Sequence, residues 1–257
     1  MASKVIIITG ASRGIGLAIA KWLLNASHRV VVTARSQHPL ESLKADYPGR
    51  IGKKLTTLAV KTFGQLDGLV VNHGVLAPIA RVANARLEEW KKLYDVNFFS
   101  ALGLLQHAIP ELRKTKGCVA WVSSGAAVGC YTAWGAYGSS KAALHSLTGH
   151  LAVEEPEITS VSFSPGRVDT DMQRLIREAG DEMKPEDLQS FQDAFEKGEL
   201  LKPEVPGHTI ARFVVNPHHD FTGKFLKWVH QEKKVYEESA NSEPRVTGPE
   251  LAPFRDE

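Results

Sequence analysis

The sequence predicts a doubly wound α/β fold of the Rossmann type, and three observations predict it. Short β-branched runs recur with helical stretches between them, most of the runs are continuously apolar, and a glycine-rich turn follows the first run directly. The runs are Val5 to Thr9, Val30 to Ala34, Gly68 to Asn72, Val119 to Ser123, Thr159 to Ser164 and Gly223 to Val229. Strands covered by helices on both faces have no solvent side and so show no polar alternation.

Taken in order, the helices between these runs carry their own signals. Leu17, Ala20, Leu23 and Leu24 repeat at helical spacing after Gly14 and Gly16. Leu40 to Tyr47 and Ile51 to Phe63 are the next helical pieces, the second keeping Ile51, Leu55, Leu58, Thr62 and Phe63 in period. A further strand between them would require a helix, a strand and a helix with loops, on the order of 43 residues, in the span from 36 to 68. Such a strand would carry the chain about 20 Å, whereas Pro48-Gly49-Arg50 covers roughly 10 Å at most. The third strand of the fold is therefore predicted to be missing, which leaves the second as an edge, distorts Pro39 to Gly52 and weakens any binding at that end.

Ala101, Leu104, Leu105, Ala108 and Ile109 mark the helix after Asn97. An acidic, loosely apolar helical insert runs from about Asp169 to Pro206, with Met172, Leu175, Ile176, Met183, Leu188, Phe191 and Phe195; it reads as a lid over a pocket or as a packing insertion. Residues 1–236 form a single domain, and 237–257, rich in Pro, Ser and charge, read as a disordered tail.

Composition narrows the function. Hydrophobic residues are 43% and charged residues 23% of the 257, which suits a globular protein and excludes disordered or collagen-like classes. A net charge of +2 gives no phosphate-tracking surface, so nucleic acid is not expected as a partner. Cys118 and Cys130 make neither a disulfide framework nor a metal cluster, so no metal is expected. Val5 to Ile8 is far too short to cross a bilayer, and the expectation is a cytoplasmic protein without membrane attachment.

The turn Thr9-Gly10-Ala11-Ser12-Arg13-Gly14-Ile15-Gly16 lies between a strand and an amphipathic helix, the context that a dinucleotide fingerprint requires. Glycines let the backbone approach a pyrophosphate, and the helix start offers free N–H groups and a positive dipole end. The second strand ends in Arg35 and not in the acid that would hold a free ribose 2′-hydroxyl. Arg35 and Arg13 suit a 2′-phosphate instead, or are two solvated arginines, and NADP(H) is the expected cofactor.

Together, TGASRGIG (9 to 16), Asn72-His73-Gly74, Asn97 in Asp95-Val96-Asn97, Ser123-Ser124, Tyr137 to Lys141 in Tyr-x-x-x-Lys, and Pro165-Gly166 resemble the short-chain dehydrogenase/reductase family from Val5 to about Val229. Within it, the chain looks most similar to fungal benzil-reductase-like members. The resemblance implies Tyr137 as proton donor or acceptor, Lys141 as its activator and ribose ligand, Ser124 as the hydroxyl that orients the carbonyl, and Asn97 as support for a relay water. Ser123 is the rival for the serine role, and Asn97 can equally be a kink or capping residue.

The resemblance also gives Asn72 and Gly74 a place beside the cofactor, with Pro165, Gly166, Val168 and Thr170 along the nicotinamide side. His73, where the family usually has a small residue, reads as tolerated packing. Tyr137 and Lys141 share a helical face, and the ammonium is expected to pull the phenol pKa down from about 10.

The implied reaction is reversible reduction of a ketone or diketone to an alcohol. Trp134, Tyr131, Val128, Met172 and Phe191 are candidates for an apolar wall suited to an aromatic substrate. The rival from another class is a non-catalytic nucleotide-binding or sensor protein on the same fold. Small residues at Gly135, Ala136, Gly138, Ala142 and Ala143 suit a helix-mediated homodimer or homotetramer, or close packing within one subunit.

Overall fold

The computed structural model describes residues 2–34 and 55–227. Its strands are β1 (Val5–Thr9), β2 (Arg29–Thr33), β3 (Gly68–Val71), β4 (Cys118–Val122), β5 (Thr159–Ser164) and β6 (Phe225–Lys227). They form one parallel sheet in the order β2-β1-β3-β4-β5-β6. The chain leaves β1 toward β2 and then returns to place β3 on the other side of β1. A crevice opens at such a reversal, outside the carboxyl ends of the strands, because the connections on either side diverge.

Successive strand residues face opposite ways, and so the four-residue run Val5 to Ile8 feeds two cores. Ile6 and Ile8 pack with Val32, Val70 and Ala120 under α1 (Gly14–Asn25) and the last helix, Glu204–Val215. Val5 and Ile7 pack with Leu69, Val119 and Trp121 beneath α2 (Leu55–Phe63) and two longer helices. The chain runs through α3 (Leu87–Tyr94) and a wide π-turn (Asp95–Phe99) into α4 (Ser100–Thr115), then α5 (Gly135–Glu154). All four residues from Val5 to Ile8 are fully buried, each contributing about 1.5–3 kcal/mol of transfer free energy.

The insert folds as α6 (Asp171–Arg177) and α7 (Pro185–Glu196). Its two ends are stapled together: Leu201 N–H donates to Arg167 O and Asp169 N–H to Leu201 O, both at 2.8 Å. The Thr132 N–H and hydroxyl donate to Asp187 Oδ2 and tie α7 to the loop before α5. The final part of the predicted insert belongs instead to α8 (Glu204–Val215), which crosses α1 so closely that a Cβ on Gly207 would lie 2.8 Å from Ala18 Cβ.

All six predicted strands are present, two with the predicted ends and the others within two residues of them, the usual uncertainty of boundaries; the predicted end of the sixth, Val229, lies outside the described residues. Among the described residues no strand lies between β2 and β3, and β2 stands at the sheet's edge. Arg35, the helix expected over Leu40 to Tyr47, the distortion expected from Pro39 to Gly52 and the expected tail lie outside the described residues.

Candidate active site

The site starts where β1 turns into α1. Gly10 and Gly14 have φ of +67° and +55°, a left-handed backbone that costs an L side chain strain. At Gly16 the limit is space, since a Cβ there would sit 2.4 Å from Gly10 O and 2.5 Å from the Asn72 amide nitrogen. Arg13 stands at the N-cap of α1 without a side-chain cap bond, so the first-turn N–H groups, beside Ser12 and Ile15, have no capping acceptor. Uncapped N–H groups in a glycine cradle fit a pyrophosphate.

The neighbouring β3 turn braces that cradle. Asn72 Nδ2 donates to Thr9 O and Gly10 O, each at 3.0 Å. His73 does more than fill space: Nε2 lies 3.0 Å from Val96 O, and Nδ1 2.7 Å from Thr9 Oγ1. A carbonyl only accepts, so Nε2 carries the proton and Nδ1 accepts from the Thr9 hydroxyl. The ring thereby links the end of β1 to the π-turn. Burial, reinforced by the Lys141 charge, lowers its pKa to about 4 against the pull of the Val96 carbonyl.

Asn97 sits fully buried in that π-turn, a wide-turn geometry that recurs at functional sites. Its Oδ1 accepts from Val75 N–H at 2.8 Å, and its Nδ2 donates to Val75 O at 2.9 Å and to Ser140 Oγ at 3.1 Å. Ser140 in turn donates to Tyr137 O. The side chain therefore sets the loop after β3 and the start of α5 relative to each other, with Gly74 beside both Asn97 and Lys141.

Ser124 is the second residue after β4. Its hydroxyl accepts from Ala126 N–H at 3.2 Å and shares one cavity wall with the Tyr137 phenol, whose pKa its proximity pulls down. Ser123 Oγ is buried with no partner, so of the two serines it is Ser124 that stands with the phenol. The contact depends on Gly138, where a Cβ would come 3.1 Å from Ala126 O, so α5 lies directly on the turn that follows Ser124.

Lys141, one turn after Tyr137, is 3% exposed and donates to Val122 O at 2.9 Å. Its ammonium lies 5.9 Å from the Tyr137 ring centre. Burial lowers the Lys141 pKa to about 8. The expected lowering of the Tyr137 pKa is corrected: burial raises it, Ser124 opposes, and the ammonium is not among the causes. The lysine places its charge on a backbone carbonyl. A buried ammonium beside Gly74 with donors to spare fits the hydroxyls of a ribose.

A cavity of about 210 Å³ opens beside Ser124 and Tyr137. Ile15, Pro165, Gly166, Val168 and Thr170 line it, as do Tyr131, Trp134, Met172 and Phe191. Trp134 stacks on Phe191 at 5.4 Å and meets Tyr137 edge-on at 5.8 Å. Val128, expected in this wall, is 37% exposed and lies outside the lining. Gly125, Ala126, Arg167, Gln173 and Ile176 join the wall without any sequence pattern having marked them for it.

Across the mouth of the crevice, Arg13 forms an ion pair with Asp171, the first residue of α6. Arg13 is thus tied to the insert, and Arg35 lies outside the described residues. No group of three His, Cys, Asp or Glu able to hold a metal occurs among the described residues.

Comparison with known proteins gives the following. Residues 4–181 match the family described as short chain dehydrogenase. An uncharacterized oxidoreductase of Schizosaccharomyces pombe is 41% identical over 240 residues, covering 88% of this chain and 97% of that one. A benzil reductase ((S)-benzoin forming) of Saccharomyces cerevisiae is 36% identical, covering 88% of this chain and 95% of that one. The crystal structure of the KRED1-Pglu enzyme superposes with a TM-score of 0.84 at 41% identity, covering 87% of this chain and 100% of that one.

Proposed function

Because the chain belongs to the short-chain dehydrogenase/reductase family of oxidoreductases, which use nicotinamide cofactors, we propose that it is an NADP(H)-dependent carbonyl reductase acting on bulky ketones or diketones. One observation carries the reading. Ser124 and Tyr137 stand together on the wall of one cavity at the carboxyl edge of the sheet, with Lys141 a helical turn behind.

The uncapped start of α1, with Gly10, Ser12, Gly14, Ile15 and Gly16, would hold the pyrophosphate; Lys141 and Asn72–Gly74 the ribose; Pro165, Gly166, Val168 and Thr170 the nicotinamide side. When bound, that group supplies a hydride to the carbonyl carbon. Ser124 donates a hydrogen bond to the carbonyl oxygen and fixes its position against Tyr137. Tyr137 gives its proton to the same oxygen as the alcohol forms. The raised Tyr137 pKa keeps that proton in place at neutral pH in the cofactor-free protein.

The preference for the phosphorylated cofactor rests on Arg13, together with Arg35 from the sequence. Arg13 is spoken for by Asp171, and a cavity of about 210 Å³ is below the usual range for ligand sites. We therefore read the insert as a lid, whose outward movement at α6 would free Arg13 and admit cofactor and substrate. The substrate class rests on the aromatic wall of Tyr131, Trp134 and Phe191, and on the likeness to a benzil reductase. Among the described residues no helix is long and apolar enough to cross a membrane, and a cytoplasmic location is part of the proposal.

Exposed Phe99 and Val153, on the segments leading into α4 and ending α5, suit pairing into a homodimer or homotetramer, which light scattering tests. Gly135 and Gly138 are already explained within one chain by close contact with Trp90 and Ala126.

Purified protein mixed with NADPH and benzil should consume NADPH. Tyr137→Phe should lower kcat by about 10²–10⁴ while NADPH binding persists. Wild-type binding without turnover of any carbonyl would select the rival, a nucleotide-binding protein weakened where β2 stands as an edge.

A further inference from the structure

Among the described residues, the cavity wall holds one ionised side chain, Arg167, and no carboxylate. Nor does Arg167 form an ion pair with any described residue. The acids nearest to it along the chain are exposed or engaged: Asp169 is exposed, and Asp171 holds Arg13. Asp187, on the helix that Arg167 reaches, accepts from Thr132.

Two neighbours fix the guanidinium at that wall. Its Nη1 donates to Ser190 O and its Nη2 to Ser190 Oγ, on α7, and its carbon lies 4.5 Å from the centre of the Phe191 ring. Both partners are neutral, so the positive charge is placed without being balanced. Each terminal nitrogen keeps a second N–H, and N–H groups on one planar fork match the two oxygens of a carboxylate. In a half-enclosed site such a cation favours an anionic ligand over a neutral one of the same shape.

The place of the charge sets where that anion lies. The rings of Tyr137, Trp134 and Phe191 follow one another at 5.8 and 5.4 Å, and the guanidinium closes the series. A flat ligand lying along these rings brings one end to the phenol and the other to Arg167. We propose that Arg167 is a specificity-determining residue, pairing with a carboxylate of the substrate while Tyr137 and Ser124 engage the carbonyl that is reduced. The substrate class is then an aryl ketone or aldehyde with a carboxylate across the ring from the reacting carbon. This rests on the carbonyl-reductase reading above and deepens it.

The test uses the full-length protein at saturating NADPH with two probes of one shape, 4-acetylbenzoate and 4-acetylbenzamide, which differ in charge. The quantity read is the ratio of their kcat/KM values, acid over amide, with tryptophan-fluorescence titration of each probe as a second readout. The wild type should favour the acid about tenfold, and Arg167→Met should bring the ratio close to one through KM for the acid. Arg167→Lys keeps the charge and loses the fork on Ser190, and should retain most of the preference; a purely structural role would make the two variants alike. Raising salt from about 0.05 M to about 0.5 M should lower the wild-type ratio severalfold, a readout that needs no variant to fold.

A wild-type ratio close to one overturns the proposal, as does a ratio that neither salt nor Arg167→Met moves, or a Lys variant as poor as the Met variant. A rise in KM for NADPH with the ratio unmoved overturns it as well, by assigning Arg167 to the cofactor. Benzil separates the two readings. Reduction of benzil without preference for the acid overturns the role of Arg167 alone. If the wild type turns over neither benzil nor either probe with NADPH or NADH, the carbonyl-reductase reading falls, and this proposal with it.

Discussion

Lowering the pH from 7 to 5 should destabilise this protein through one imidazole. In the folded chain the His73 pKa is lowered to about 4, first by burial and then by the Lys141 charge, against an ordinary value of about 6.5 in the unfolded chain. The unfolded state therefore takes up the proton first as pH falls. Stability is present above pH 6.5 and is lost between there and pH 4. Linkage across that shift gives a loss of about 2 kcal/mol between pH 7 and pH 5.

The cause is geometric as well as electrostatic. Protonation would force a second N–H onto the Thr9 hydroxyl, which already receives the Asn72 and His73 backbone N–H groups. His28, His145 and His208 are also lowered by burial, so the wild-type slope contains more than one residue. The difference from His73→Gln isolates the one of interest. Urea unfolding of both proteins at pH 7 and pH 5 should show the wild type losing about 2 kcal/mol more than the variant. A folded-state His73 resonance titrating near 6.5 by NMR, or equal pH slopes in the two proteins, would refute the reasoning.

Two further expectations follow from the crevice. Asp171→Asn removes the partner that holds Arg13 across the mouth, and should tighten NADPH binding up to about fivefold, with the gain largest at low salt, by fluorescence titration. Unchanged affinity would show that the ion pair does not compete with the cofactor. Gly16→Ala drives a methyl into Gly10 O and the Asn72 amide, and neither backbone nor brace can retreat. A loss of about 3 kcal/mol is expected from denaturant unfolding, and a variant as stable as the wild type would contradict the packing described.

Much of the site was legible because its pieces depend on near neighbours in sequence. Tyr137 and Lys141 are four apart and share a helix face wherever the helix goes. The glycine turn needs only β1 before it and α1 after it. Gln173 gave no such signal: its neighbours along the chain are ordinary, and its place in the cavity wall comes from the packing of α6 on the crevice. His73 looked like tolerated packing because Thr9, Val96 and Ser100, its partners, lie far off in sequence. The expected fall in the Tyr137 pKa failed for a related reason. Helical spacing brings the ammonium near, but burial and the Val122 carbonyl decide where it points and what the phenol feels.

The sequence by itself determined the alternation of strand and helix, the glycine turn between β1 and α1 and the shared helical face of Tyr137 and Lys141, since periodicity and short motifs are local properties of a chain. Only the tertiary structure decided which serine stands with the phenol, that Asn97 and His73 brace the loops around the crevice, and that Arg13 is clasped by Asp171. Those outcomes depend on distances between residues remote in sequence, and on a loss of solvent that no single segment brings about alone.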